Sequence, residues 1–347
     1  MSPVRSLDVA LVAAVWAALA CSSPTAPAVA AAVDTAIDPG DAPLADAAET
    51  VADAPATVDA DTDSAVAADP CPPFLAPAAL GKIADKQLGE LSGMVESRRN
   101  ANVLWVHNDS GGGPLLYAIN LAGKRLATVT LLGATNVDWE DLAATATGTT
   151  GQPDLYVGDI GDNNSSRSTI AVYRLVEPVV DAGLSNASTE VSDFTKFIFA
   201  YPDGAHDAEA LLIDPPTGDL YVVTKATDGK SKVYRAAAPL QASEVPVLLA
   251  KVGKLQFGQG ALPGDMQVTA GEVSSDGRLV GLRTRTAAFA WRRPEGEELQ
   301  LALLAAPCVL PIHAEDQGES LAWAVDGGGF YTLSEGVGAK IFFAKRK

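Results

Sequence analysis

The sequence predicts an all-β fold: a β-propeller of five four-stranded blades, closed by an N-terminal strand that joins the last blade. Three observations point there. Residues 71 to 347 are a series of short β-rich runs broken by Gly, Asp, Asn and Pro, with no long amphipathic helix among them. Five of these runs carry one glutamate near the start, and each leads into a turn and further strands. The fifth unit lacks a fourth strand, and a strand-like segment stands just ahead of the first.

Two segments of other kinds come before the repeats. Arg5 is followed by the apolar run Val9 to Ala20, which ends in small residues and is too short to span a bilayer as a permanent helix. Residues 1 to 20 therefore read as an export signal. Cys21, directly after it, resembles the lipidated cysteine of a bacterial lipobox, so the chain is expected either to be anchored in a membrane through Cys21 or to be simply secreted. Ser22 fits release to the outer membrane in Gram-negative sorting, which places the protein in the cell envelope or outside the cell.

Residues 21 to 70 are rich in Ala, Pro and Asp. From 22 onward they contain no aromatic residue, no Lys and no Arg. Such a stretch has too little apolar surface to offset its ordering entropy, and a disordered, self-repelling tether is expected. It holds ten acids, so the formal charge of −18 divides into −10 for the tether and −8 for residues 71 to 347. Neither part has the basic footprint of a nucleic-acid partner, and none is expected. Cys71 and Cys308 remain, at the start of the folded part and late in it; in an oxidising compartment they are expected to form a disulfide.

The repeats start at GELSGMV (89 to 95), DWEDLAA (138 to 144), DAEALLI (207 to 213), AGEVSSD (270 to 276) and QGESLAW (317 to 323), with Glu90, Glu140, Glu209, Glu272 and Glu319 as the shared glutamates. The second strands are VLWVHND, DLYVGDI, DLYVVTK, RLVGLRT and GFYTLSE, reached through turns such as Ser275-Asp276-Gly277. Third strands follow as LLYAI, IAVYRL, KVYRA, AFAW and KIFFAK, and fourth strands as RLATVTLL, FTKFIFAY, VLLAKVG and LQLALL. The chain ends at Lys347 before a fifth fourth-strand, while ALGKIADKQ at 79 to 87 echoes LLAKVGKLQ at 248 to 256. A ring of sheets closes when one terminus supplies the strand that the other lacks, which removes an exposed edge. The count is five blades, or six if the insertions at 176 to 193 or 256 to 268 hold further strands.

LWVHNDSG, DWEDLA, YVGDIGDN, DGAHDAEALL and QGESLAW resemble segments of a group of uncharacterised secreted bacterial propeller proteins, and more distantly the esterase-like phytase and SdiA-regulated propellers. The resemblance spans roughly residues 80 to 345. It implies the propeller fold and an exported protein, and it leaves the activity open.

Inner strands line the central channel, so repeated glutamates are expected to converge on one axial mouth. Clustered carboxylates repel one another unless a cation, a basic side chain or protonation relieves them. Calcium suits such a hard-oxygen set, and Glu90, Asp138, Glu140, Asp159, Asp162, Asp207, Glu209, Glu272 and Glu319 are the candidate ligands. The competing reading is that they cap backbone amides at blade junctions. Asp109 borders the same face, and all three histidines, His107, His206 and His313, lie within a few residues of the motifs; with Trp139 they are candidates for ligand contact.

Two other signatures dissolve on inspection. Asn108 to Gly113 resembles the serine neighbourhood of trypsin-like proteases but lacks a separate base, and Asp228-Gly229-Lys230-Ser231 lacks the first glycine and the helix of a phosphate loop. Two functions stay open: a tethered module binding a metal, small molecule, glycan or protein at an acidic mouth, or a metal-dependent phosphoester or carboxylic ester hydrolase of phytase-like type.

Overall fold

The computed structural model describes residues 72–347 apart from 182, 184, 259 and 316. The expected export signal, Cys21, the expected tether and Cys71 lie outside the described residues. Five sheets, each with four antiparallel strands, follow one another along the chain, as the repeats predict. After β1 (Ala78–Lys82), blade 1 is β2 (Leu91–Glu96), β3 (Val103–Asn108), β4 (Leu115–Asn120) and β5 (Arg125–Leu131). Blade 2 opens with β6 (Trp139–Thr145), β7 (Asp154–Asp159) and β8 (Ile170–Val176).

The insertion after β8 does not make a sixth blade. It contains β9 (Ala187–Val191), which runs back to lie parallel to β5 as an extra outer strand of blade 1, before β10 (Phe194–Ala200) completes blade 2. Blade 3 is β11 (Ala208–Ile213), β12 (Leu220–Thr224), β13 (Lys230–Ala236) and, after the short β14 (Val247–Leu248), β15 (Ala250–Gln256); β14 pairs with β10 of blade 2. Both additions cover an outer edge that would otherwise present unpaired backbone groups.

Blade 4 comprises β16 (Val268–Val273), β17 (Leu279–Thr284), β18 (Ala288–Arg292) and β19 (Cys308–Leu310). The segment LQLALL, expected as its fourth strand, is instead the short helix α1 (Leu299–Ala302) and the turn beyond it. Its burial explains the difference: Leu299, Ala302 and Leu303 are buried while Leu301 and Leu304 are exposed, a 3.6-residue pattern with no two-residue alternation. Blade 5 is β20 (Gly318–Trp323), β21 (Gly329–Ser334) and β22 (Lys340–Lys345), and β1 fills its outer position with Ala78 opposite Phe343 and Lys82 opposite Lys340. The expected closure by the N-terminal strand is therefore present.

The inner strands β2, β6, β11, β16 and β20 stand side by side in a closed ring. Five apolar clusters fill the interfaces between successive blades. Trp105 and Trp139 anchor the one between blades 1 and 2, and Trp323, Phe330 and Phe74 the one between blades 4 and 5. Both faces of each sheet are thus covered, which is why the inner and second strands are buried along almost their whole length.

Candidate functional site

The mouth is built by a bulge that recurs in every inner strand. Pairing with the second strand slips between Leu91 and Met94, Trp139 and Asp141, Ala208 and Ala210, Val268 and Ala270, and Gly318 and Ser320. A bulged residue leaves the ladder and re-aims its side chain. The residues so placed are Ser92, Glu140, Glu209, Thr269 and Glu319, and all five line one cavity of about 180 Å³.

The repeat aligned on glutamate is therefore correct in three blades and offset in two. Glu90 stands two residues before the bulge, exposed at the rim, and still lines the same cavity. Glu272 lies three residues deeper, buried, with its carboxylate on Arg98 at 2.6 Å and on the backbone N–H of Trp323 at 2.5 Å. It does not join the mouth, and burial pushes its carboxyl up to about 7 against the pull of Arg98.

A second recurrence was not read from the sequence. In each blade a residue just past the second strand donates its backbone N–H to the carbonyl of the residue that precedes the inner strand: Asp109 to Glu90 (2.8 Å), Gly161 to Asp138 (3.1 Å), Lys225 to Asp207 (3.0 Å), Arg285 to Gln267 (3.1 Å) and Glu335 to Gln317 (2.9 Å). These exits bring Asp109, Glu335, Lys225 and Arg285 into the cavity lining. The signal was present in the strand ends VLWVHND, DLYVVTK and GFYTLSE, each closing on a charged residue.

At the floor of the mouth, side chains cross from one inner strand to another. Ser92 Oγ donates to the Glu140 carbonyl (2.6 Å), Thr269 Oγ1 to that of Gly318 (2.7 Å), and Ser320 Oγ to that of Ser92. Asp141, fully buried, accepts from the backbone N–H of Leu142 (2.9 Å), Leu211 (2.9 Å) and Gly271 (3.1 Å), tying β6 to β11 and β16. Burial nevertheless holds its carboxyl well above the usual range.

Electrostatics at the mouth are strongly acidic. Oxygens of Asp109, Asp138 and Glu140 lie within 4.8 Å of one another, as do those of Glu140, Asp207 and Glu209, so Glu140 belongs to both triads. Glu140 is 3% exposed, and among the described residues no hydrogen bond or ion pair reaches its carboxylate. Burial, then the charges of Glu209, Asp109 and Asp138, hold it well above the ordinary carboxyl range. Burial also raises Asp138 to about 6, with Asp109 and Asp207 adding repulsion, and the Asp109 and Asp138 carboxyls share a hydrogen bond.

Glu209 is raised to about 8, first by burial, although the Lys225 ammonium is ion-paired with it. Burial works against the charge of Lys225, but Glu209 more than offsets it and the ammonium is held above its usual range. Glu319 is pushed up to about 7 by burial, against Lys225, Arg283 and Arg285. Burial and a hydrogen bond shared with Glu90 place Glu335 at about 7.

The remaining candidates divide between rim and framework. Asp159 is buried beside Arg167 (2.9 Å) and accepts from the Asp138 N–H (3.1 Å). Asp162 is buried and accepts from the Arg167 N–H (2.6 Å), while its own N–H donates to Asp207 (2.8 Å). These two hold the loop that carries Gly161, whose Cα packs so closely on Glu140 and Asp138 that a Cβ there would collide with both carboxylates. His107 and Trp139 are completely buried, edge to face, with Trp139 Nε1 donating to Thr135 at 2.9 Å. Burial lowers the His107 imidazole to about 4. His206 belongs to a separate cluster with Asp203 (2.9 Å), Lys232 (3.1 Å) and the Tyr234 ring, and His313 stacks on Phe342.

No family model matches the chain, and no curated protein matches it. Among solved structures it is similar to the PQQ-bound aldose sugar dehydrogenase of Streptomyces coelicolor, with a TM-score of 0.44 and 9% identity over 79% of this chain and 99% of that one. It is also similar to a chain of a mitotic checkpoint complex, with a TM-score of 0.35 and 14% identity over 72% and 60% of the two chains. Likenesses so distant carry no argument about ligand or activity, and the propeller assignment rests on the strand order itself.

Proposed function

We propose that the protein is an exported, lipid-anchored binding module whose acidic mouth takes a divalent cation, calcium by the chemistry of its donors, and through it a polar ligand or partner. The observation that carries this reading is Glu140, a buried carboxylate shared by two triads and without a hydrogen-bond donor among the described residues. A buried charge without a partner is costly, and a cation or a proton must compensate it. Calcium takes six to eight oxygen ligands, and a 4.8 Å spread of carboxylate oxygens is about twice a calcium–oxygen bond of about 2.4 Å.

The test is calorimetric titration of calcium into the full chain and its Glu140→Gln variant. Tight binding by the wild type, weakened about 100-fold or more in the variant, is the expected result; equal affinities would remove Glu140 from any cation site. The hydrolase alternative draws on Lys225 and Arg285, which give the mouth two cationic groups for an anionic substrate. Turnover of p-nitrophenyl phosphate or acetate that depends on calcium is its check.

The envelope location rests on the export signal and the lipobox-like Cys21. Cys21→Ser is expected to move the protein from the membrane to the soluble fraction. The same compartment suits an oxidised Cys71–Cys308 pair, detectable as a linked peptide by mass spectrometry without reductant.

A further inference from the structure

The two carboxylate triads that meet at Glu140 are not equivalent. Glu209, in the triad with Asp207, is ion-paired with the Lys225 ammonium, and the Lys225 backbone N–H is fixed to the Asp207 carbonyl at 3.0 Å. Asp109, Asp138 and Glu140 have no ion pair to a Lys or Arg among the described residues; the donors they do have are the Ser110 N–H on Asp109 and the proton shared between Asp109 and Asp138. One triad therefore already holds a cation supplied by the chain, and the other does not.

We propose that Lys225 is a built-in occupant of the second cation position, so that the mouth accepts one divalent cation, at Asp109, Asp138 and Glu140, and excludes another at Glu140, Asp207 and Glu209. This inference rests on the reading of the mouth as a cation site. An ammonium is a compact point charge with three donors and no acceptor, so it satisfies Glu209 and repels a divalent ion placed beside the same carboxylate. Exclusion of a second ion also leaves Glu140 oriented toward one metal and keeps the face toward Arg285 and Glu319 available to a ligand. Lys225 thus sets the number of ions and their position.

The experiment is calcium titration of the full chain, read as the number of tight sites, in wild type, Lys225→Met and Lys225→Arg. One tight site is expected in wild type and in Lys225→Arg, which keeps a cation at Glu209, and two in Lys225→Met. Lys225→Gln serves as a second neutral variant, and a circular dichroism melt confirms that the variant titrated is folded. One site in wild type and in both neutral variants, or two in wild type, overturns this inference alone. A wild-type chain with no tight site overturns the reading of the mouth and this inference with it.

Discussion

At the scale of single residues, the protein places carboxylates where water is scarce and pairs them unequally. Asp141 is the most demanding case, because it alone satisfies three backbone N–H groups from three inner strands. Asp141→Ala leaves those donors buried without an acceptor and is expected to cost about 3 kcal/mol or more in denaturant unfolding; Asp141→Asn, which keeps one carbonyl oxygen, should cost about half as much. The mouth acids set a pH dependence of known sign. Glu209 at about 8, Glu319 and Glu335 at about 7 and Asp138 at about 6 lie above their ordinary values of 4.5 and 3.8, burial being the first cause at each. The folded chain therefore holds protons that the unfolded chain has released. The stability linked to them is complete below about pH 4 and is lost as pH rises through 6 to 8. In chelator the melting temperature should accordingly fall between pH 5.5 and pH 8, and a rise over that interval would contradict the account.

At the scale of strands and turns, the bulge is the device that turns a regular sheet into a site. It explains what was legible and what was not. Second strands such as DLYVGD and DLYVVT were visible because their apolar residues are continuous and their turns carry Gly and Asp. The bulge register was not visible, because Ser92 and Thr269 stand where three blades have glutamate, and nearby Glu90 and Glu272 supplied a false alignment. Ser and Thr suit that position physically, since their hydroxyls bridge to the next inner strand. The helix at Leu299–Ala302 was missed because six residues of mostly leucine are too few to separate alternation from a helical turn. The loop carrying Gly161 yields a direct check: Gly161→Ala should weaken calcium at least tenfold by displacing Glu140 and Asp138, with a smaller effect on the metal-free melt, as read by titration and circular dichroism.

At the scale of the whole propeller, closure and site are linked, because the mouth exists only while all five inner strands stand in one ring. β1 secures that ring by covering the edge of β22, a role legible in the sequence from the missing last strand. Deleting residues 78 to 82 should lower the melting temperature and promote self-association, measurable by light scattering. The acidity of residues 71 to 347 is legible as well, since it survives removal of residues 21 to 70 from the count. The convergence of Lys225, Arg285 and Glu335 on the same cavity was not, because it depends on how five separate hairpins are arranged about one axis. The central claim is that this mouth holds a divalent cation, and the most direct measurement is a calorimetric melt of the full chain at pH 8, first in chelator and then in calcium at about 100 times its dissociation constant. Binding to the folded state alone contributes about 2.7 kcal/mol at that excess, so the account predicts a rise of about 5 °C or more. Superimposable melts would contradict it.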